Sequence, residues 1–340
     1  MKWYISMTKS LRDGRPSLRD MAIESIKNNK TKFVTKKFEK IFKNWMKEIR
    51  DWPISRQIVW GIRIPAWYHE PKCISRRGRE DEVIKCRDIV ISSSMPKCEF
   101  CDAKFIQDPD VFDTWFSSGQ WPFATLMATK SEKFYPTNVM ETGWDIIFFW
   151  VARMMMLGLY RTGMAPFETI YLHGLVRDKD RQKMSKSRGN VIDPLGVIDE
   201  YGADALRMAL VVGNTAGNDI IISEEKIRGY RNFVTKIWNI ARFVLMDYEE
   251  NLEIKKYTAE DKKNIKEFNG IKTKVTKYLE KYDFHHAGET IYHYLWHTFA
   301  DKIIEDSRNR EDKAVVQSML MEILLGSIKL LHPFMPFVTE

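Results

Sequence analysis

A strand-like run that feeds a short basic loop, with a helix start behind it, constrains this chain more than any other feature. Residues 169–176 (TIYLHGLV) are rich in β-branched and aromatic side chains and read as a buried strand. Asp178 and Asp180 mark the turn that follows. The stretch 181–190, Arg-Gln-Lys-Met-Ser-Lys-Ser-Arg-Gly-Asn, then gathers two lysines, two serines and a glycine into one loop. Asp193-Pro194 opens the next helix with a capping aspartate and proline at the first helical position. A basic loop between a strand's carboxyl end and a helix start is where open α/β sheets bind ligands, so the predicted class is α/β.

Lys183 and Lys186 are point charges on flexible stems, Ser185 and Ser187 are hydroxyl donors, and Gly189 lets the backbone come close. Together they suit a polyphosphate whose charge shifts during a reaction. Composition alone would equally allow a solvated charged loop. The order of residues decides between them: Lys183-Met184-Ser185-Lys186-Ser187 resembles the KMSKS signature of class I aminoacyl-tRNA synthetases. Tyr171-Leu172-His173-Gly174 before it and Gly189-Asn190-Val191-Ile192-Asp193-Pro194 after it fit that family too.

The resemblance implies the second half of a Rossmann-type catalytic domain, in which Lys183 and Lys186 are catalytic and stabilise charge moving onto a departing pyrophosphate. It assigns ATP binding to His173, Gly174, Met184, Ser185, Lys186 and Ser187, with Mg2+ accompanying the nucleotide.

The 340 residues suffice for two or three domains, and 44% hydrophobic and 13% aromatic content argues for a substantial core. A net charge of +8 permits a polyanionic partner without requiring one. No signal peptide is visible at Met1-Lys2-Trp3-Tyr4, and no apolar run is read as a membrane span. With only four cysteines and no secretory context, a reducing cytoplasm is expected.

Taken in order, residues 1–50 are lysine-rich and mostly helical in pattern. Phe38, Ile41, Phe42, Trp45, Met46 and Ile49 recur at spacings of three and four, predicting an amphipathic helix with lysines outward. Lys32-Phe33-Val34 reads as a short strand. These fifty residues resemble the connection that follows the editing domain in valyl enzymes, and 50–68 (RDWPISRQIVWGIRIPAWY) resembles the re-entry into the catalytic domain. The pattern departs at Pro53 and Ile62, where many valyl enzymes carry cysteine and histidine.

A compact insertion spans 69–108 within a catalytic region of 51–222. Cys98-Glu-Phe-Cys101 has the spacing of a zinc knuckle, and related enzymes often carry a second Cys-x-x-Cys where His69 and Cys73 stand here. The candidate structural Zn2+ site is therefore His69, Cys73, Cys98 and Cys101, with Cys86 as substitute or bystander.

In the segment 110–123, the resemblance makes Trp115 a wall of the amino-acid side-chain pocket; as a residue type it could equally be core. Residues 141–157 read as a turn at Thr142-Gly143 followed by a helix apolar all round. Asp145-Ile146-Ile147-Phe148-Phe149-Trp150 matches the valyl rather than the isoleucyl pattern and puts Ile146 against substrate. Asp145 either caps the helix or hydrogen-bonds substrate or ribose.

Beyond the loop, 194–212 reads as a helix broken near Tyr201-Gly202, and Ser223 caps a long helix with an apolar stripe that includes Tyr230, Ile237 and Trp238. Arg228, Arg231 and Lys236 lie on its polar side and are the candidate tRNA-binding residues. The resemblance identifies this helix as the first of an anticodon-binding bundle, partial over 223–340. After a lysine-rich stretch near 254–268, further helices are predicted over 284–307 and 314–331. The clustered His285, His286, His293 and His297 lack the glutamate of a zincin motif, since position 294 is tyrosine.

No His-x-Gly-His motif occurs in these residues; in the family it belongs to the first half of the nucleotide fold, before the editing insertion. The function implied is that of a valine–tRNA ligase, present as a carboxyl-side part: either a split-gene product that needs a separate amino-terminal half with that motif and the editing domain, or a truncated reading frame. Its partners would be valine, ATP and tRNA-Val, with no membrane. The alternatives are a non-catalytic RNA-binding module or an isoleucyl-type synthetase part. The absence of Gly-x-x-x-x-Gly-Lys-Ser/Thr disfavours a P-loop hydrolase.

Overall fold

The computed structural model describes residues 2–70, 76–77, 83–84, 89–98, 104–184, 189–246 and 256–340. They form two compact units, Met1–Met140 with Asp145–Ile170, and Glu141–Trp144 with Tyr171–Glu340.

In the first unit, Ser17 starts the helix Leu18–Lys27 by accepting the Asp20 amide at 3.2 Å. The helix Lys36–Lys47 is amphipathic as predicted: Phe38, Phe42 and Met46 are buried, and its lysines face outward. Lys32–Phe33 is the expected short strand, paired in parallel with Thr169 and Ile170. Ala66–Glu70 is the central strand of an antiparallel sheet between Ile89–Ile91 and Lys104–Gln107, so the insertion is rooted in three strands.

Two expectations are corrected here. Thr142-Gly143 is not a turn but the end of the strand Thr137–Gly143. The segment after it is not a uniform buried helix either. It winds through a π-helical stretch at Ile147–Val151 before Ala152–Thr162 becomes α-helical, and Phe149 is 50% exposed while Met154, Met155 and Met156 are at most 1% exposed. Hydropathy shows that a segment is apolar; it does not show that an extra residue per turn rotates one aromatic outward.

In the second unit the predicted strand is interrupted. Phe167–His173 ends at Gly174, and Val176–Arg177 continues in a different pairing, parallel to Ile220–Ile221. Asp193 accepts the Leu195 and Gly196 amides at 3.2 and 3.3 Å and starts Pro194–Tyr201, as its sequence signature requires. Gly202, at φ +85°, breaks that helix from Ala203–Val211.

The rest is a helical bundle: Glu224–Met246, Ala259–Glu280, Phe284–His293 running on through a π-helical segment to Glu305–Ser307, and Lys313–Leu331. Phe233, Phe268, Val275, Ile291, Phe299, Met319 and Ile323 form its core. Emptying one such site, as in Phe299→Ala, costs about 3–5 kcal/mol in general. Trp238 is corrected from the apolar stripe to the surface, at 66% exposure. Lys313–Leu331 is long and apolar enough to cross a bilayer by length and composition, contrary to the sequence reading. Here Val315, Val316, Met319, Leu320, Ile323 and Leu324 are buried against the bundle.

The helix Ala259–Glu280 was missed because charge dominates its sequence; its buried positions Asp261, Phe268 and Val275 are seven apart, one narrow stripe. Its first turn is clamped. Thr258 and Asp261 form a reciprocal capping box, and the fully buried Asp261 carboxylate receives the guanidinium of Arg310, which also pairs with Asp312. Arg310, with Thr258 behind it, draws the Asp261 pKa down to about 2. A depressed carboxyl contributes stability above its unfolded pKa of about 4 and loses it as pH falls through the folded value. The bundle is therefore expected to lose on the order of 2 kcal/mol between pH 5 and 2 through this group. Acid titration of urea unfolding checks this: in Asp261→Asn, already less stable at pH 7, the pH-dependent loss should shrink.

Candidate functional site

Asp219 organises the site in the second unit. Its carboxylate accepts the Leu175 amide at 2.8 Å, the Trp144 indole N–H at 3.1 Å and the Arg177 Nε–H at 2.5 Å. Burial alone would raise this carboxyl, but the three donors outweigh it and hold the group below the usual carboxylate range. Three sequence-distant segments, at 144, 175–177 and 219, are thus tied at one side chain.

Gly174 explains how they come so close. A Cβ built on it would lie 1.8 Å from the Asn218 carbonyl oxygen and 2.5 Å from the Asp219 nitrogen. Only a residue without a side chain lets the strand end pass this backbone.

From Arg177 the chain makes a tight hairpin to Lys183. Arg177 and Lys183 form an antiparallel bridge, and Arg177 Nη1 donates to the Arg181 carbonyl at 3.1 Å. Asp178 accepts the amides of Asp180 and Gln182 at 3.0 and 2.8 Å. The return is closed by Asn190, whose amide donates to the Asp178 carboxylate at 2.8 Å and to the Lys183 carbonyl at 3.3 Å. Gly189, at φ +67°, permits that closure. Met184 is turned inward against the cluster of Tyr201, Ala205, Ile220 and Ile227, so it anchors the loop, and Lys183 is left exposed. Ser185, Lys186 and Ser187 lie outside the described residues.

His173 Nδ1 donates to the Glu141 carboxylate. Both line a cleft of about 520 Å³ with Tyr171, Gly174, Leu210 and Phe284. The size and mixed lining suit a nucleoside-sized ligand. His173 and Gly174 were marked in the sequence and Asp178 was read as a turn residue; Glu141 and Asp219 were not given a role, because each acts through a partner far along the chain.

In the first unit, Asp113 caps the helix Thr114–Ser118 by accepting the Trp115 amide at 3.1 Å, and the Trp115 ring stacks on Phe149 at 5.7 Å. Asp145 is exposed and Ile146 is half-buried, and the helical turn that follows has no side-chain cap, so the capping alternative for Asp145 is not realised. Arg153, read in the sequence only as a charge within the apolar run 146–157, was given no role there. Its guanidinium lies 3.9 Å from the Trp52 ring centroid, with Nε and Nη1 buried and without hydrogen-bond partners; burial draws its pKa down to about 10 against the pull of Asp113.

Of the candidate metal ligands, His69 is buried with its ring edge-on to Phe105, Cys98 is half-buried, and Cys73 and Cys101, like Cys86, lie outside the described residues. Among the described residues no three potential ligands converge. Of the candidate tRNA contacts, Arg228 pairs with Glu224 at 3.1 Å, Lys236 pairs with Asp301 at 2.9 Å, and Arg231 is exposed.

Comparison with known proteins places this geometry. Residues 1–223 match the family model for tRNA synthetases class I (I, L, M and V), and residues 261–340 match the anticodon-binding domain of tRNA ligase. The valine–tRNA ligase of Clostridium acetobutylicum is 42% identical over all of this chain, and that of Thermotoga maritima 44%. The chain spans 38% of the length of either relative. Two solved structures share the fold. The LeuRS–tRNA–LeuAMS ternary complex of Agrobacterium radiobacter K84 matches at TM-score 0.67 and 24% identity, covering 86% of this chain and 40% of that one. Mycobacterium tuberculosis methionyl-tRNA synthetase with methionyl-adenylate matches at TM-score 0.71 and 18% identity, covering 99% and 66%. A strand end and a hairpin that carries the start of the KMSKS string, in a chain whose first 223 residues match that family model, make this chain a member of the class I tRNA synthetases of the I, L, M and V group.

Proposed function

We propose that this chain supplies the KMSKS side of a valine–tRNA ligase. The carboxylate of valine attacks the α-phosphate of ATP, forming valyl-adenylate as the bond to pyrophosphate breaks. The acyl group then passes to the terminal adenosine of tRNA-Val, releasing AMP. The observation that carries the reading is the hairpin held by Asp219, Asp178 and Asn190, which presents Lys183 to solvent on a fixed base. Lys183 and Lys186 would meet the negative charge that builds on pyrophosphate, an electrostatic role that strengthens when a loop closes and water leaves. The cleft of Glu141, His173 and Gly174 would take the adenosine part of ATP. Trp115 and Ile146 would wall the valine side chain, and Asp145 would face substrate or ribose.

Magnesium would enter on the nucleotide's own phosphates, since no carboxylate cage is present among the described residues. Arg228, Arg231 and Lys236 would contact tRNA. Of these Arg231, which is exposed while Arg228 and Lys236 are ion-paired within the chain, is the best supported. A role confined to RNA binding would not need an intact pyrophosphate-facing loop.

The test is reconstitution. This chain co-expressed with the amino-terminal part of the Thermotoga maritima relative, which is expected to bring the His-x-Gly-His motif, should exchange labelled pyrophosphate into ATP when valine is added. A complex that forms and shows no valine-dependent exchange sinks the proposal.

The insertion would bind one structural zinc through His69, Cys73, Cys98 and Cys101, a reading supported by the burial of His69 at the root of the insertion. Metal analysis should find about one zinc per chain, and Cys98→Ser should lose it. A metal-free purified protein that keeps its melting temperature would refute this.

A further inference from the structure

The segment 57–62, Gln-Ile-Val-Trp-Gly-Ile, is fixed at its base and bare at its tip. Gln57 Nε2 donates to Asp110 Oδ2 at 2.6 Å, and the Phe112 amide donates to the Ile62 carbonyl at 2.8 Å. Arg63 donates to the Asp108 carbonyl at 3.0 Å, and the Ile64 amide to the Asp110 carbonyl at 3.0 Å. Gly61 passes the Val111 side chain so closely that a Cβ there would lie 2.8 Å from Cγ2. Yet Ile58 is 56% exposed, Val59 104%, Trp60 90% and Ile62 63%. A floppy loop could bury these side chains on itself, but this one is pinned along both edges. Four large apolar side chains held outward in one stretch mark an interaction surface rather than scattered surface hydrophobics.

We infer that this stretch is the surface on which the amino-terminal part of the catalytic domain docks, Trp60 being its anchor. The inference rests on the proposed function, in which this chain is one part of a larger site. The occupant follows from three observations. The chain covers 38% of its relatives' length, so most of the relatives' mass lies elsewhere and must pack on something. The stretch belongs to residues 1–223, the portion matched to the catalytic family model, rather than to the anticodon-binding domain. No charged side chain interrupts 57–62, and the flanking Arg56 and Arg63 are already bonded within the chain, which suits an apolar protein core and not a nucleic acid.

The experiment uses the full 340-residue chain, alone and co-purified with the amino-terminal part of the Thermotoga maritima relative. Hydroxyl-radical footprinting read by mass spectrometry should show Trp60 oxidised several-fold more slowly in the complex than in the free chain. Trp60→Ser and Val59→Ser should each weaken association at least tenfold, as removal of a central aromatic or apolar anchor does. Both variants should leave the melting temperature of the free chain unchanged, because neither side chain is buried in it. Equal oxidation of Trp60 in free and bound chain would overturn the inference. So would failure to co-purify, or self-association of the free chain that protects Trp60, which would make the occupant a second copy. A complex that protects Trp60 but lacks valine-dependent exchange would sink the proposed function and leave the docking surface standing. Exchange with Trp60 unprotected would do the reverse.

Discussion

Gly174→Ala should abolish valine-dependent pyrophosphate exchange in the reconstituted enzyme and cost the chain about 3 kcal/mol or more of stability. The added carbon would sit 1.8 Å from the Asn218 carbonyl oxygen and 2.2 Å from its carbonyl carbon. These are backbone atoms, which cannot swing aside as a lysine tip would. The 218–219 segment must move, and Asp219 must then release Leu175, Trp144 or Arg177. Loss of Arg177 loosens the hairpin below Lys183. Urea unfolding and exchange kinetics together check this; a variant with wild-type stability and rate would show that the close approach has no importance. Asp219→Asn is the milder companion: it keeps the volume, removes the charge that holds Arg177, and should lower the exchange rate more than the stability.

Lys183→Ala should lower the rate of valine-dependent exchange by about a hundredfold or more, the usual consequence of losing one donor to a developing oxyanion. Stability should barely change, because the Lys183 side chain is exposed, and the hairpin uses its backbone rather than its ammonium. Lys183→Arg should recover only part of the rate, since a planar fork does not replace a compact charge on a flexible stem. If the lysine acts on the transition state, the loss falls on kcat more than on the KM for valine. A rate within threefold of wild type would remove Lys183 from the reaction.

Local signals carried much of the fold. Asp193-Pro194 announces a helix start because a carboxylate can cap two amides and proline has none to lose. Gly202 announces a break because it sits at positive φ. The apolar spacing of 36–47 and the continuous helical run over 284–307 follow from periodicity that charge does not obscure. In Ala259–Glu280 the lysines and glutamates hid a stripe only three buried positions long.

The site was legible where a motif is contiguous and illegible where it is assembled. Lys183, His173 and Gly174 stand in readable strings. Asp219 does not: its partners are Trp144, 75 residues back, and Leu175 and Arg177, more than forty back, and nothing beside Asp219 in the chain points to them. Glu141 finds His173 across 32 residues in the same way. Arg153 was passed over because it lies in a run of hydrophobic residues, where hydropathy averages away the one charge that ends up on the Trp52 ring. Met184 was read as a nucleotide contact from its place in the signature; that its side chain also packs into the apolar cluster below could not be read there.

If this chain completes a valine-activating site as proposed, amino-acid selectivity in pyrophosphate exchange reports it directly. The reconstituted enzyme should be assayed with valine, isoleucine, leucine and methionine at equal concentrations. A kcat/KM for valine about a hundredfold above that for isoleucine is predicted, the order of discrimination that a hydrophobic pocket achieves over one methylene. Exchange driven equally well or better by isoleucine, or exchange indifferent to the amino acid supplied, would contradict it.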